Sequence, residues 1–226
     1  MDLPKLRSAE MLASLVEEIG FLPFFRNPIA GFSVEDCTPP ELWFSDEADG
    51  PWEWKGPVIQ SIRCAYGKFY AGKARYIASR FFPDFANWRR DGYDYDARMD
   101  EGLARRRDVP IMEELLKEDS LVSKELKRRV CFSEERKKGF DGSLTRLQMM
   151  CYVNIADFEY AVDKHGKPYG WGLARYTTPE AFFGAEFTEN VYRKSPEESR
   201  KALEDYLMKL LPHATLSQIE GILRGV

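Results

Sequence analysis

Between residues 121 and 176 the chain passes from a helical to a strand-like hydrophobic period, and the order of that passage limits the folds open to it. Lys124-Glu-Leu-Lys-Arg-Arg-Val130 predicts a short helix capped by Ser123, with Leu126 and Val130 one turn apart on a single face. A charged loop is expected over residues 131–141. Residues 142–151 predict a second helix with Leu144, Leu147 and Cys151 pointing inward and Thr145, Arg146, Gln148 and Met149 outward. Two alternating runs, 154–162 and 169–176, flank Asp163-Lys-His-Gly-Lys-Pro168, which is turn chemistry. Helix, turn, helix and hairpin is the order of a winged helix-turn-helix. In such folds the second helix enters the DNA major groove while the hairpin reaches the backbone. The same architecture also serves as a protein-protein module, so the pattern names a scaffold before it names an activity.

The first half repeats this order without repeating its residues. Ser8 caps a helix whose apolar stripe is Met11, Leu12, Leu15, Val16 and Ile19, and Gly20 ends it. A short helix is expected after Ser33, interrupted by Pro39-Pro40. Another element starts at Gly50-Pro51, and strand-like runs follow over 64–70 and 74–81. The expected fold is α+β and helix-rich: two tandem winged-helix-like units with a C-terminal helical segment. The units are expected over 1–83 and 108–180. Residues 84–107, charged and rich in rings, join them, and residues 181–226 supply the C-terminal helices, starting with Ser195-Pro-Glu-Glu.

Charge is unevenly placed. The net charge is -4, which argues against an unselective nucleic-acid binder. Residues 1–54 carry 3 basic and 11 acidic side chains, whereas residues 55–107 carry 12 basic and 6 acidic. A basic stripe can hold phosphate even in an anionic protein. No run approaches the roughly 18 apolar residues of a membrane span. The N-terminus lacks the apolar run of a signal peptide, and the four cysteines are scattered. A cytoplasmic location without disulfides, metal or cofactor is therefore expected.

Candidate DNA readers are Arg146 and Gln148, since arginine matches guanine and glutamine matches adenine in the major groove. Lys164, His165 and Lys167 at the hairpin tip suit phosphate contact. Trp54 and Lys55, with Arg89 and Arg90, combine rings and cations that can stack on bases and hold phosphates. Asp157 and Glu159 would share one strand face, and a buried face would favour acid-base work by Asp157, assisted by Gln148. No Gly-rich phosphate loop, nucleophile elbow or histidine metal motif is present.

Three strings carry a family resemblance: Gly50-Pro-Trp-Glu-Trp-Lys-Gly-Pro57, Phe82-Pro-Asp-Phe-Ala-Asn-Trp-Arg-Arg90, and Thr145-Arg-Leu-Gln-Met149 through Tyr169-Gly-Trp-Gly172. With them the chain resembles a bacterial group related to the AlkZ-type DNA glycosylases over most of residues 5–215. The resemblance implies winged helices, a DNA partner and a connection with DNA repair. Glycosylases of this type use a Gln-apolar-Gln or Gln-apolar-Asp motif. The near match here is Gln148-Met149-Met150, whose last position is a thioether that cannot orient or activate water. The expected function is nucleic-acid binding on an AlkZ-like scaffold. The alternative is a protein-interaction winged-helix module without enzymatic activity, with a homo-oligomer formed through a winged-helix face.

Overall fold

A computed structural model describes residues 3–45, 47–131, 134–165 and 168–224. The chain is a mixed α/β protein, about half helical. Helix α1 (Ala9–Ile19) starts where Ser8 Oγ accepts from the Met11 N–H at 3.3 Å, and it ends at Gly20, whose φ is 73°. A Cβ at Gly20 would also lie 2.3 Å from the Phe81 ring, so space and backbone both demand glycine there. Strand β1 (Phe21–Pro23), helix α2 (Val34–Cys37, capped by Ser33) and a 3₁₀ turn at Pro40–Leu42 follow. Helix α3 (Pro51–Ile62) begins with proline in its first turn, and the Glu53 carboxylate accepts from the Gly50 N–H at 2.9 Å. Strands β2 (Ala65–Tyr70) and β3 (Lys73–Ile77) complete an antiparallel sheet of order β1-β3-β2, in which Tyr66 faces Tyr76.

Helices α4 (Phe82–Arg90) and α5 (Tyr95–Asp100) lead into a second set of elements in the same order. These are α6 (Val109–Lys117), β4 (Leu121–Val122), α7 (Ser123–Val130), α8 (Glu134–Met149), β5 (Asn154–Val162) and β6 (Pro168–Thr177). Their sheet runs β4-β6-β5, again antiparallel, with Ile155 opposite Tyr176. Short helices α9 (Pro179–Phe183) and α10 (Ala185–Thr188) precede α11 (Pro196–Leu210) and α12 (Leu216–Arg224). Helix α11 opens with a full capping box between Ser195 and Glu198.

Two boundaries depart from the sequence expectation: the strand run expected over 74–81 ends at Ile77, and the long helix of the second set starts early. Helix α8 starts at Glu134, so residues 134–141, expected in a loop, are helical. Glu, Arg and Lys are good helix formers, but this stretch has no apolar repeat to announce a helix until Phe140, which is buried.

Two apolar clusters hold the chain together. The smaller gathers Ile111, Leu115, Leu126, Leu144 and Leu147 from the second set of elements. The larger joins the first set to the C-terminal helices through Leu203, Leu207, Ile219 and Leu223. Helix α4 is the tie between them in sequence. Asn87 donates to the Lys194 carbonyl at 2.8 Å and to Ser199 Oγ at 2.9 Å, while Asp84 pairs with Lys194 at 2.8 Å.

Arg90 is the most enclosed cation of this arrangement, with no exposed surface. It donates to Glu180 at 2.6 Å, to the Tyr192 hydroxyl at 2.9 Å and to the Cys151 carbonyl at 2.7 Å. Its guanidinium also sits 4.6 Å from the Tyr152 ring centroid. Burial works against the charge, but Glu180 and Tyr192 outweigh it and hold the pKa above the ordinary arginine value. Removing one member of such a network strands the others. Arg90→Ala is therefore expected to cost about 3–5 kcal/mol, read as a fall in the denaturation midpoint. An unchanged midpoint would show that the network contributes nothing.

Candidate nucleic-acid interface

The two longer helices that precede the hairpins, α3 and α8, do not stand free. Helix α3 lies against β5 and α8 lies against β2, so each half offers its helix to the other half's hairpin. A glutamine pegs each contact. Gln60 Nε2 donates to the Ala156 carbonyl at 2.7 Å, and Gln148 Oε1 accepts from the Lys68 N–H at 3.0 Å. Gln148 is 1% exposed, and its Nε2 donates back to the Leu144 carbonyl at 3.3 Å. The expectation that Gln148 faces outward is thus corrected. The face of α8 that a lone unit would leave to solvent is covered by β2. Arg146 is half-buried and grips Asp108 with two nitrogens, one of them at 2.9 Å.

Several of the cations expected to form a basic stripe are turned inward. Arg89 is half-buried over the Phe85 ring and donates to the Phe69 carbonyl at 2.6 Å and to the Arg224 carbonyl. Burial lowers its pKa. Arg75 is 1% exposed and donates to the Ile222 carbonyl at 3.0 Å. Together Arg75 and Arg89 cap the last turn of α12, where cations oppose the negative end of the helix dipole. Arg90 is enclosed as described, and Trp54 belongs to the larger core. The surface role expected for Arg89, Arg90 and Trp54 meets the same physical obstacle: their side chains are occupied in packing. Lys68, Lys73, Arg105 and Arg106 of the same basic region are exposed.

Lys55 is the unusual member. It is buried, with its ammonium 4.1 Å from the Phe158 ring centroid and 5.0 Å from that of Trp52. Burial pulls its pKa down to about 8, against a smaller upward pull from Glu53. Asp157 is half-buried nearby. Its Oδ1 accepts from the Phe158 N–H at 2.7 Å and would be 2.8 Å from a Cβ at Gly56, so only glycine lets α3 approach β5 this closely. Glu159 is exposed and pairs with Arg175, and register breaks flank the segment on both sides. The structure places Gln148 against β2 and Asp157 against α3, on different contacts between the halves.

At the hairpin tip Lys164 and His165 are exposed, and the His165 N–H donates to Asp163 at 2.8 Å. Lys167 lies outside the described residues. Beyond the tip, Trp171 is 71% exposed and meets Trp52 edge-on, with ring centroids 5.6 Å apart. Tyr160 crosses the strand pair where Gly172 leaves room for its ring, and its hydroxyl donates to the Trp52 carbonyl at 3.1 Å. Sequence reasoning passed over Trp171, although an indole in an alternating strand beside a turn is a signal for a surface contact.

A family model described as AlkZ related matches residues 6–224. The chain belongs to the AlkZ-related family. Among solved structures, the Streptomyces sahachiroi DNA glycosylase AlkZ is similar at 12% identity and a TM-score of 0.47, over 90% of this chain and 50% of that one. This AlkZ-related chain therefore spans half the length of that enzyme. No curated protein matches it significantly. The strings that marked the resemblance coincide with contacts between distant elements: α3 at the second hairpin, α4 at α11, and α8 at the first hairpin.

Lys55 supplies a test of the α3–β5 contact in this AlkZ-related protein. Below about pH 8 the folded state carries a buried charge, which lowers stability. Between about pH 8 and the ordinary lysine value of 10.5 the folded state has lost the proton that the unfolded chain keeps, so stability rises with pH. Lys55→Met should lack that rise and gain about 1–2 kcal/mol at neutral pH, the burial cost being partly offset by the ring contacts. Parallel denaturation of both proteins at several pH values reads the difference.

Proposed function

We propose that this chain is a nucleic-acid-binding protein that acts in DNA repair, built from two winged-helix units over residues 1–83 and 108–180. One observation carries the reading: membership of the AlkZ-related family across residues 6–224. The Streptomyces sahachiroi protein that shares the family's name is a DNA glycosylase. The order helix, strand, helix, helix, hairpin in both halves supports the assignment of the units.

Binding is assigned to the hairpins, because the helices that would read bases are docked inside the molecule. Lys164 and His165 at the second tip, with Lys68 and Lys73 on the first hairpin, are the exposed groups placed to meet phosphates. Such contacts fix position without selecting sequence, so the partner is read as DNA by shape and charge. Gln148 is held by the Lys68 N–H and Asp157 lies on another contact, so their geometry supports binding over a concerted excision of a base.

Fluorescence anisotropy with a duplex over a salt series tests the reading. Affinity should fall as salt rises, and Lys164→Glu should lower the log-log slope by about 1 or slightly more. Absence of binding at low salt would overturn it in favour of the protein-interaction module.

A further inference from the structure

Between the N-terminal segment, α2, the 3₁₀ turn and the start of α3 lies a cleft of about 700 Å³, within the range of small-molecule sites. Four rings, Phe25, Trp43, Phe44 and Trp52, form the aromatic part of its wall. Trp43 and Trp52 meet edge-to-face at 5.7 Å and 83°, and Phe25 lies nearly parallel to Trp43 at 6.5 Å and 28°. Phe44 is 80% exposed, a large ring left to water at the mouth. Such a wall suits a flat ligand that can be stacked and edged at once.

Two polar atoms of the same wall lack a partner. Thr38 is 4% exposed, and its hydroxyl makes no hydrogen bond with the described residues. The Trp52 indole N–H is likewise buried and unpaired. Leaving a buried donor unsatisfied costs more than a made hydrogen bond returns, so a ligand that reaches either atom gains disproportionately. Both atoms are covered by neighbouring side chains, so a ligand reaches them only as the rings shift.

Charge decides among flat ligands. The cleft's two carboxylates, Glu35 and Asp36, both lie on Arg26, at 3.8 and 3.1 Å. Arg26, Lys5 and Arg7 together outnumber these two carboxylates. Lys5 and Arg7 at the same cleft are exposed and make no ion pair with the described residues, although Lys5 donates to the Asp36 carbonyl at 3.3 Å. The rim is therefore positive while the wall is aromatic.

We infer that this cleft binds a purine nucleotide, with the ring against Trp43 and Trp52, a ring nitrogen or substituent bonded to Thr38 or the Trp52 N–H, and the phosphate at Lys5 and Arg7. The choice of ligand rests on the nucleic-acid reading, and the location rests on the cleft itself. The ring can come from a free nucleotide or from an unpaired base of a strand, as in the stacking sites that proteins offer to single strands.

Tryptophan emission of the full chain is titrated with adenosine 5′-monophosphate and, separately, with a short single-stranded oligodeoxyadenylate. At least one should change the emission saturably, because the rings over Thr38 and Trp52 must move. Monophosphate binding assigns the free nucleotide as a ligand, and oligonucleotide binding without it assigns the strand. Thr38→Val and Trp52→Phe should each weaken the active probe by about tenfold. Phe44→Ala, at an exposed site that leaves the core intact, should weaken it several-fold. Circular dichroism and the thermal midpoint verify that each variant is folded.

The inference is overturned if neither probe changes the emission, if the folded variants bind as tightly as the parent, or if an uncharged proline-rich peptide displaces the probe. Duplex binding measured in the same preparation keeps the two readings apart. Duplex binding without either probe overturns the cleft alone. Probe binding without duplex binding overturns the duplex reading and supports the cleft.

Discussion

Everything in this molecule depends on two surfaces, each made by one half's helix against the other half's hairpin. Such a contact brings backbone polar groups of the hairpin edge under a helix, where water cannot serve them. Gln60 and Gln148 meet that demand, one giving a hydrogen bond to Ala156 and the other taking one from Lys68. Close approach is allowed by missing side chains: Gly56 on α3 faces Asp157, and Gly67 on β2 faces Gln148. Neither half buries its helix alone. The two halves are therefore one body, and the faces of α3 and α8 that a lone half would leave to solvent are turned inward.

The same logic explains where the positive charge goes. A chain of net charge -4 buries Lys55, Arg75 and Arg90 and half-buries Arg89. Their partners are mostly rings and backbone carbonyls, with Glu180 the exception at Arg90. Arginine suits this use because its five donors reach several carbonyls at once and its flat face lies on an aromatic ring. The charge surplus of the middle third thus stitches α4, β3 and the C-terminal helix together. Of the middle third's cations, Lys68, Lys73, Arg105 and Arg106 stay at the surface.

Much of the architecture was legible because it is local. Ser8, Gly20, Ser33, Pro51 and Ser195 mark helix ends through capping chemistry that needs only near neighbours. The alternating runs on either side of the turns became β2, β3, β5 and β6, and the inward positions Leu144, Leu147 and Cys151 are buried. The early start of α8 was hidden because charged residues form helix without an apolar period. The site was harder to read, for a different reason. Gln148, Arg89 and Arg90 look like surface residues in sequence, and only contacts across as many as 135 positions reveal their work. Thr38, Trp43 and Phe44 escaped notice because they sit in an acidic, proline-broken stretch with no period at all. The family strings fared better: they name residues at the contacts between distant elements, which is why they describe a scaffold more than a chemistry.

Interior arginines that lean on carbonyls have a consequence for acid. A carboxylate partner is lost when it takes up a proton, whereas a peptide oxygen holds its lone pairs through the ordinary acidic range. The bonds from Arg75 to Ile222, Arg89 to Phe69 and Arg90 to Cys151 therefore persist when the protein's carboxylates are neutralised. The carboxylate partner in this set is Glu180, at the half-exposed edge of the Arg90 network. The chain is fastened along its middle by links that proton concentration does not loosen.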